Sequence, residues 1–187
     1  MTILTAPAQA LTDGVVDLRL PSPDDDVAAV DQYVSADQLD GGWLPDVPLV
    51  TGEQLVSDWL DRWNGRSGGR DTPFTFVVTV PGEPRFVGIV GVGARGDGAF
   101  DLSYGTAPSW RERGLASRAT RLAAQWVCRQ PGVRTVEALI NQGERVSERV
   151  AVNAGFVLAD TFTRTDPDAG ETVQLRYIMN EPAHRTT

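Results

Sequence analysis

Alternating or uninterrupted apolar residues along short stretches of the chain predict seven strands, at residues 15–20, 73–80, 85–94, 99–106, 135–140, 156–163 and 172–178. Four longer stretches repeat their apolar residues every three or four positions, as the buried side of a helix does. We expect these helices from about residue 22, at 51–63, at 114–129 and at 144–153. The pattern therefore predicts a mixed α/β chain in which helices interrupt the strands at three places.

The predicted elements follow one another without an internal repeat or a long linker, which indicates a single domain. We place this domain at residues 15–180. Residues 1–14 are expected to form a flexible N-terminal arm, and residues 181–187 a polar tail. A chain of 187 residues is long enough to bury a substantial core.

Composition narrows the range of functions. The net charge is −8, and all seventeen basic residues are arginine, so nucleic-acid binding, which needs a basic footprint, is disfavoured. Cys128 is the only cysteine and His184 the only histidine, which argues against a disulfide, a histidine metal site and a Ser-His-Asp triad. The chain has neither an apolar run long enough to cross a membrane nor a signal peptide. We therefore expect a cytoplasmic protein with no metal.

The segment after the strand at 99–106 has the chemistry of an anion site. A short loop leads there into the helix at 114–129, and the first N–H groups of a helix have no partners and lie at the positive end of its dipole. Arg111 and Arg113 add positive charge, and Gly114 and Ala116 let a ligand approach the backbone. The alternative is an ordinary helix start with solvated arginines.

The spacing Arg111-x-x-Gly114-x-Ala116 resembles the pyrophosphate loop of the GNAT acyltransferase superfamily. The flanking residues resemble its Rim-type branch, which comprises ribosomal-protein and small-amine N-acetyltransferases. They are Asp101, Tyr104 and Pro108 before the loop, with Ser103 where the family often has Gly, and Ser147 eight residues before Gly155-Phe156 after it. The resemblance extends over about residues 15–180, nearly the whole chain.

This resemblance implies the GNAT fold: one mixed, mostly antiparallel sheet of about six to seven strands with about four helices. A V-shaped cleft between its two central strands would hold acetyl-CoA or another acyl-CoA. The residues implied in holding this co-substrate are Tyr104, Gly105, Thr106, Arg111, Glu112, Arg113, Gly114, Leu115, Ala116, Ser117, Asn141 and Ser147.

Three residues are candidates for the chemistry. Asp101 is the first candidate for a general base, and the alternative is an exposed strand residue or an ion-pair partner. Glu137, which interrupts an apolar strand expected to have one wetter face, is the second candidate base. Ser147 matches a family serine near the donor sulfur, and the alternative is a hydroxyl that caps a helix. A tyrosine found four residues later in many relatives is Ala151 here.

Two further points concern the ligands. The family asparagine before Ser147 is Glu144 here, and we expect Asn141 to take over its contact with the donor. The segment around Trp43 is irregular, and Trp43, Asp40 and Asp46 could face a cationic acceptor. Packing in the core is the alternative for the tryptophans.

The resemblance implies an N-acetyltransferase that passes an acetyl group directly from acetyl-CoA to an amine in a ternary complex. The acceptor would be a small-molecule amine or a protein N-terminus. One alternative is a protein of this fold that binds acyl-CoA without turnover, and another is a transferase that uses a donor such as aminoacyl-tRNA. A homodimer is compatible with the apolar C-terminal strands.

Overall fold

The computed structural model describes residues 4–22, 25, 74–83, 85–166 and 170–179. The strands in this part of the chain are β1 (Leu11–Thr12), β2 (Asp17–Arg19), β3 (Phe74–Thr79), β4 (Gly88–Gly96), β5 (Ala99–Thr106), β6 (Thr135–Asn141), β7 (Val157–Asp166) and β8 (Gly170–Met179). The helices are α1 (Leu115–Cys128) and α2 (Arg145–Ala154), and Pro108–Trp110 forms one turn of 3-10 helix. The predicted helices near residue 22 and at 51–63 lie outside the described residues, as does the tail at 181–187.

The strands form one open sheet in the order β1-β2-β3-β4-β5-β6-β8-β7. Neighbouring strands are antiparallel except for β5 and β6, which are parallel. This arrangement confirms the predicted mixed, mostly antiparallel sheet. Within the described residues the sheet has eight strands, one more than the upper prediction, because β1 was not predicted.

The one parallel pair of strands diverges soon after it forms. The Cα partners are Ala99 with Thr135, Phe100 with Val136, and Asp101 with Glu137. Beyond Asp101, β5 continues to Thr106 without pairing to β6, although it stays paired to β4 along that length. A V-shaped gap therefore opens between the two strands, as expected for the fold.

Helix α1 covers one face of this sheet. Its buried residues are Leu115, Ala119, Thr120, Ala123, Ala124, Trp126 and Val127. The alanines are small, so the helix axis can lie close to the strands. The Trp126 ring meets Phe76 of β3 edge to face, with 5.2 Å between the ring centroids. The helix thus rests on the centre of the sheet, and its N-terminus lies directly after the loop from β5.

Part of the predicted N-terminal arm packs onto the domain. Leu4 is buried in the core, and β1 pairs with β2 through Leu11 and Leu18. The carboxylate of Asp13 accepts a 2.7 Å ion-pair hydrogen bond from Arg118 of α1. The ion pair connects residues 105 positions apart, and together these contacts join residues 4–14 to the sheet and to α1.

Candidate functional site

The loop between β5 and α1 leaves the first turn of α1 open. Trp110 N–H donates to the Ala107 carbonyl at 2.8 Å, which forms the 3-10 turn that redirects the chain. Gly114 then takes the N-cap position with a φ of 72°, in the left-handed region that glycine tolerates best. No side chain in the described part of the chain caps this helix. The N–H groups of its first turn are consequently available to an anion.

Two arginines are held around this helix start by the loop itself. The Arg111 Nε donates to the Thr106 carbonyl at 3.2 Å. The Arg113 guanidinium lies 4.6 Å from the centre of the Trp110 ring and donates to the Ser109 carbonyl at 3.2 Å. These contacts place both guanidinium groups beside the start of α1, and their neutral partners leave the charge of Arg113 uncompensated by them.

The other loop residues of the predicted donor site differ in exposure. Glu112, between the two arginines, is exposed and has a φ of 64°, which is uncommon for a residue with a side chain. Leu115 is buried in the core, and Ala116 and Ser117 are half-buried. Only backbone groups of Leu115 can therefore serve a ligand, because its side chain is part of the packing under α1.

Tyr104 crosses the gap between β5 and α2. Its hydroxyl donates a 2.8 Å hydrogen bond to the backbone carbonyl of Ser147 in the first turn of α2. Burial raises the pKa of the Tyr104 phenol far above its usual range, and the Glu144 carboxylate adds to this effect. The phenol therefore stays protonated and keeps donating at all physiological pH values. Gly105 and Thr106, both half-buried, complete the strand beside this gap.

Replacing Tyr104 with phenylalanine should weaken this connection between β5 and α2. The Ser147 carbonyl would lose its partner in a partly buried place, which should lower the free energy of unfolding by about 1 kcal/mol. Chemical denaturation of the wild type and Tyr104→Phe measures the difference. An unchanged free energy of unfolding would mean that the hydrogen bond contributes nothing net to the fold.

Asn141, at the end of β6, is held by neighbours that the sequence did not indicate. Its Nδ2 donates to Glu144 Oε1 at 2.7 Å, and its Oδ1 accepts from Gln174 Nε2 at 3.2 Å. The carboxylate of Glu144, unexpected at this place from the sequence, thus orients the amide of Asn141. The Oε1 atom of buried Gln174 has no hydrogen-bond partner among the residues that the structure describes.

Asp101 and Glu137 lie side by side on the face of the sheet opposite α1, here called the distal face. They are Cα partners at the last paired position of β5 and β6, where the gap begins. Gly93 of β4 is the other neighbour of Asp101, and a Cβ atom there would lie 2.5 Å from Asp101 Oδ1. The glycine therefore leaves room for the carboxylate of Asp101.

The two carboxylates differ in their surroundings. Burial raises the pKa of Asp101; Arg95 opposes this rise and the neighbouring Glu137 adds to it. Thr135 and Leu139 are half-buried and make theirs the wetter face of β6, as expected, while Glu137 between them is only 7% exposed. Its Oε1 lies 3.5 Å from a guanidinium nitrogen of Arg176, which comes from β8. Glu137 is thus buried next to a counter-charge that a distant strand supplies.

Arg176 connects Glu137 to the edge of the sheet. Its Nε donates to Asp160 Oδ1 of β7 at 3.0 Å, and Nη2 donates to the second oxygen of the same carboxylate. Glu137, Arg176 and Asp160 also line a pocket of about 370 Å³. The other lining residues are Arg95, Leu139, Thr161 and Phe162. Sequence analysis missed this pocket, although arginine in the apolar strand of β8 was a local signal for it.

The structure brings most of the predicted site residues to one region. Asp101, Glu137, Tyr104, Asn141 and Ser147 surround the divergence of β5 and β6, and the loop at 111–117 follows directly. Ser147 is the third residue of α2, and Glu144 rather than a hydroxyl residue takes its N-cap position without a side-chain hydrogen bond. Trp43, Asp40 and Asp46 lie outside the described residues.

Two features are absent from the described part of the chain. It contains no group of three or more His, Cys, Asp or Glu side chains placed to hold a metal ion. None of its helices has both the length and the apolar character of a membrane span.

Comparison with protein families gives one match. The model described as an acetyltransferase (GNAT) domain matches residues 16–157. That range includes β5, the loop, α1, β6 and α2. No curated protein sequence matches the chain.

Solved structures resemble the chain at low sequence identity. A GNAT-family acetyltransferase from Bacillus anthracis has 18% identity and a TM-score of 0.72, over 92% of this chain and 98% of its own. RimJ from Mycobacterium smegmatis, in complex with CoA-disulfide, has 24% identity and a TM-score of 0.67, over 90% and 83%. A ribosomal-protein-S5-alanine acetyltransferase from Vibrio fischeri has 15% identity and a TM-score of 0.74, over 94% and 98%. These likenesses establish the shared fold.

Proposed function

Because the chain belongs to the GNAT acetyltransferase family, we propose that it transfers an acetyl group from acetyl-CoA to a primary amine of a small molecule or a protein N-terminus. The divergence of β5 and β6 beyond Asp101 and Glu137, beside the uncapped start of α1, carries this proposal. Acetyl-CoA has a pyrophosphate and an extended arm with two amides. An anion site next to an unpaired strand edge fits both parts.

The loop residues would bind the donor mainly through their backbone. N–H groups at 114–117 would contact the pyrophosphate, and the guanidinium groups of Arg111 and Arg113 would add charge. The open side of Gly114, where a Cβ atom would meet nothing within 4 Å, leaves the ligand room to approach. The unpaired edge of β5 at Tyr104, Gly105 and Thr106 would hydrogen-bond the amides of the arm as an added strand does.

Asp101 is the better of the two candidate bases. Glu137 is already the ion-pair partner of Arg176, so its carboxylate is engaged in a contact between β6 and β8. Burial and the charge of Glu137 raise the pKa of Asp101, which moves it toward the range where general bases work well. Asp101 also lies at the last paired position of β5 and β6, where the gap opens.

The reaction forms one bond and breaks one. An ammonium group of the acceptor gives a proton to Asp101, directly or through water, and the nitrogen lone pair attacks the thioester carbonyl carbon. A C–N bond forms, the C–S bond breaks, and the electron pair leaves on the sulfur. After the C–N bond forms, the nitrogen loses its second proton and the thiolate takes one up; the Ser147 hydroxyl could relay this proton, giving its own to the sulfur and receiving the one from nitrogen. Backbone N–H groups of β5 would stabilise the negative charge on the oxygen.

Release of free CoA thiol from acetyl-CoA, measured with a panel of primary amines, tests this function. We expect thiol release that depends on the amine, and an acetylated product by mass spectrometry. Binding of acetyl-CoA without turnover on any amine would favour the alternative of an acyl-CoA binding protein. Absence of binding in a folded sample would contradict the proposed donor.

A further inference from the structure

The pocket on the distal face combines charges of both signs around a small volume. Its walls carry two arginines, Arg95 and Arg176, and two carboxylates, Glu137 and Asp160. Leu139 and Phe162 supply apolar surface. A volume of about 370 Å³ is at the low end for ligand pockets, so it suits a small molecule or the first residues of a peptide.

The two arginines are not equivalent. Arg176 is occupied, because it donates two hydrogen bonds to Asp160 and also lies against Glu137. Arg95 is exposed and makes no hydrogen bond or ion pair with the part of the chain that the structure describes, although its charge acts on Asp101. Arg95 is therefore the cation in this wall that can take an anionic group from a ligand.

The carboxylates beside the pocket suit a positively charged group on the same ligand. Glu137 lines the pocket and is the strand neighbour of Asp101, the proposed base. An ammonium group placed against these two carboxylates would stand where β5 and β6 separate, next to the proposed position of the thioester. A diamine or polyamine would fit less well, because its second positive charge would meet an arginine.

From this arrangement we propose that the acceptor carries a carboxylate close to its primary amine, and that Arg95 binds this carboxylate. The inference rests on the proposed function and names the substrate class of the same site. Two kinds of molecule have this chemistry: a free amino acid, and a protein N-terminus whose first residue is Asp or Glu. The amine faces Asp101 and Glu137, and Phe162 and Leu139 contact the acceptor's apolar part.

The test compares acceptors in pairs whose members differ only in carrying a carboxylate or the corresponding neutral amide. L-leucine is compared with L-leucinamide, and the peptide Asp-Ala-Ala-amide with Asn-Ala-Ala-amide, with putrescine as a diamine. The variants are Arg95→Gln and, as a control, Arg129→Gln at the end of α1, another exposed arginine without a side-chain hydrogen bond or ion pair in the described part of the chain. The readout is the ratio of kcat/KM for the acid to kcat/KM for its neutral partner.

We expect the wild type to prefer the acid in at least one pair, and Arg95→Gln to reduce this preference about tenfold, the value of one charge-assisted hydrogen bond. Arg129→Gln should keep it. Loss of Arg95 also changes the electrostatics at Asp101, but that effect acts on both members of a pair and cancels in the ratio. The pair that shows the preference identifies the source, amino acid or N-terminus.

The failures can be told apart. If the wild type acetylates acid and neutral acceptors equally, or prefers putrescine, the proposed function stands and the carboxylate subsite is wrong. If no amine is acetylated although acetyl-CoA binds, the proposed function fails. Calorimetric binding of each pair to the protein saturated with CoA then decides the subsite. The carboxylate subsite is supported if the wild type binds the acid more tightly than its neutral partner and Arg95→Gln abolishes this difference. Equal binding of the acid and its neutral partner by the wild type would overturn it.

Discussion

Replacing Gly114 with tryptophan is expected to weaken binding of acetyl-CoA by at least about 100-fold while the protein stays folded. The indole would cover the first turn of α1 and deny the pyrophosphate about two charge-assisted hydrogen bonds, each worth roughly tenfold in affinity. Within the described ranges of the chain no atom lies within 4 Å of a Cβ at this position, so the side chain has room to project outward. Calorimetric titration with acetyl-CoA measures the loss.

Gly96→Trp is the matched control for this change. Gly96 also has a positive φ, 90°, and open space around its Cβ position, but it lies at the opposite end of β5. Both substitutions introduce the same kind of backbone strain, about 1 kcal/mol. Gly96→Trp should therefore lose similar stability and still bind acetyl-CoA. If Gly114→Trp and the wild type bind acetyl-CoA with equal affinity, the donor does not bind at the start of α1.

The change Asp101→Asn should lower kcat by about 100- to 10,000-fold, the usual contribution of a general base. In the wild type, activity should fall as the pH drops through the pKa of Asp101, which burial raises above its ordinary value. The base works only when it is deprotonated, so this loss lies at a higher pH than for an ordinary aspartate. The residual activity of Asp101→Asn should lack this acid limb.

Stability distinguishes a lost base from a damaged fold. The folded state holds the proton of Asp101 more tightly than the unfolded chain does, because its folded pKa is raised. The carboxyl group therefore contributes most below its unfolded pKa, and this contribution is lost as the pH rises through its folded pKa. At neutral pH, Asp101→Asn should unfold no more easily than the wild type. If Asp101→Asn stays active and Glu137→Gln is inactive, the general base is Glu137 and not Asp101.

Local patterns were sufficient to predict the elements around the candidate site. The strand at 99–106 has the predicted bounds, because Phe100 and Leu102 alternate with polar residues and lie in the core. Helix α1 begins one residue after its predicted start, since Gly114 adopts a left-handed conformation that ends the loop rather than joining the helix. Strand β1 has only two residues, too few to show a period.

The environment of the site could not be derived in the same way. Glu137 looked like a residue on a wet strand face, yet Arg176, thirty-nine residues later, lets it be buried. Asn141 was expected to face the donor, but Glu144 and Gln174 hold its amide. These partners come from a neighbouring strand or from the start of α2. The spacing of apolar residues along the chain does not show which strands pair, so it cannot identify them.

The pocket was missed for a related reason. Its lining residues come from β4, β6, β7 and β8, and their neighbourhood depends on the order β6-β8-β7 in the sheet. A local signal did exist in β8, where Gln174 and Arg176 alternate along the strand with the buried apolar residues Leu175 and Tyr177. Two polar residues on one side of such a strand indicate a second polar face.

The most direct test of the account is a crystal structure of the protein with CoA bound. The account predicts pyrophosphate oxygens within hydrogen-bond distance of the N–H groups at 114–117. It also predicts an arm that lies along the unpaired edge of β5, with the sulfur close to Asp101. A pyrophosphate bound away from the start of α1, or an arm outside the gap between β5 and β6, would contradict it.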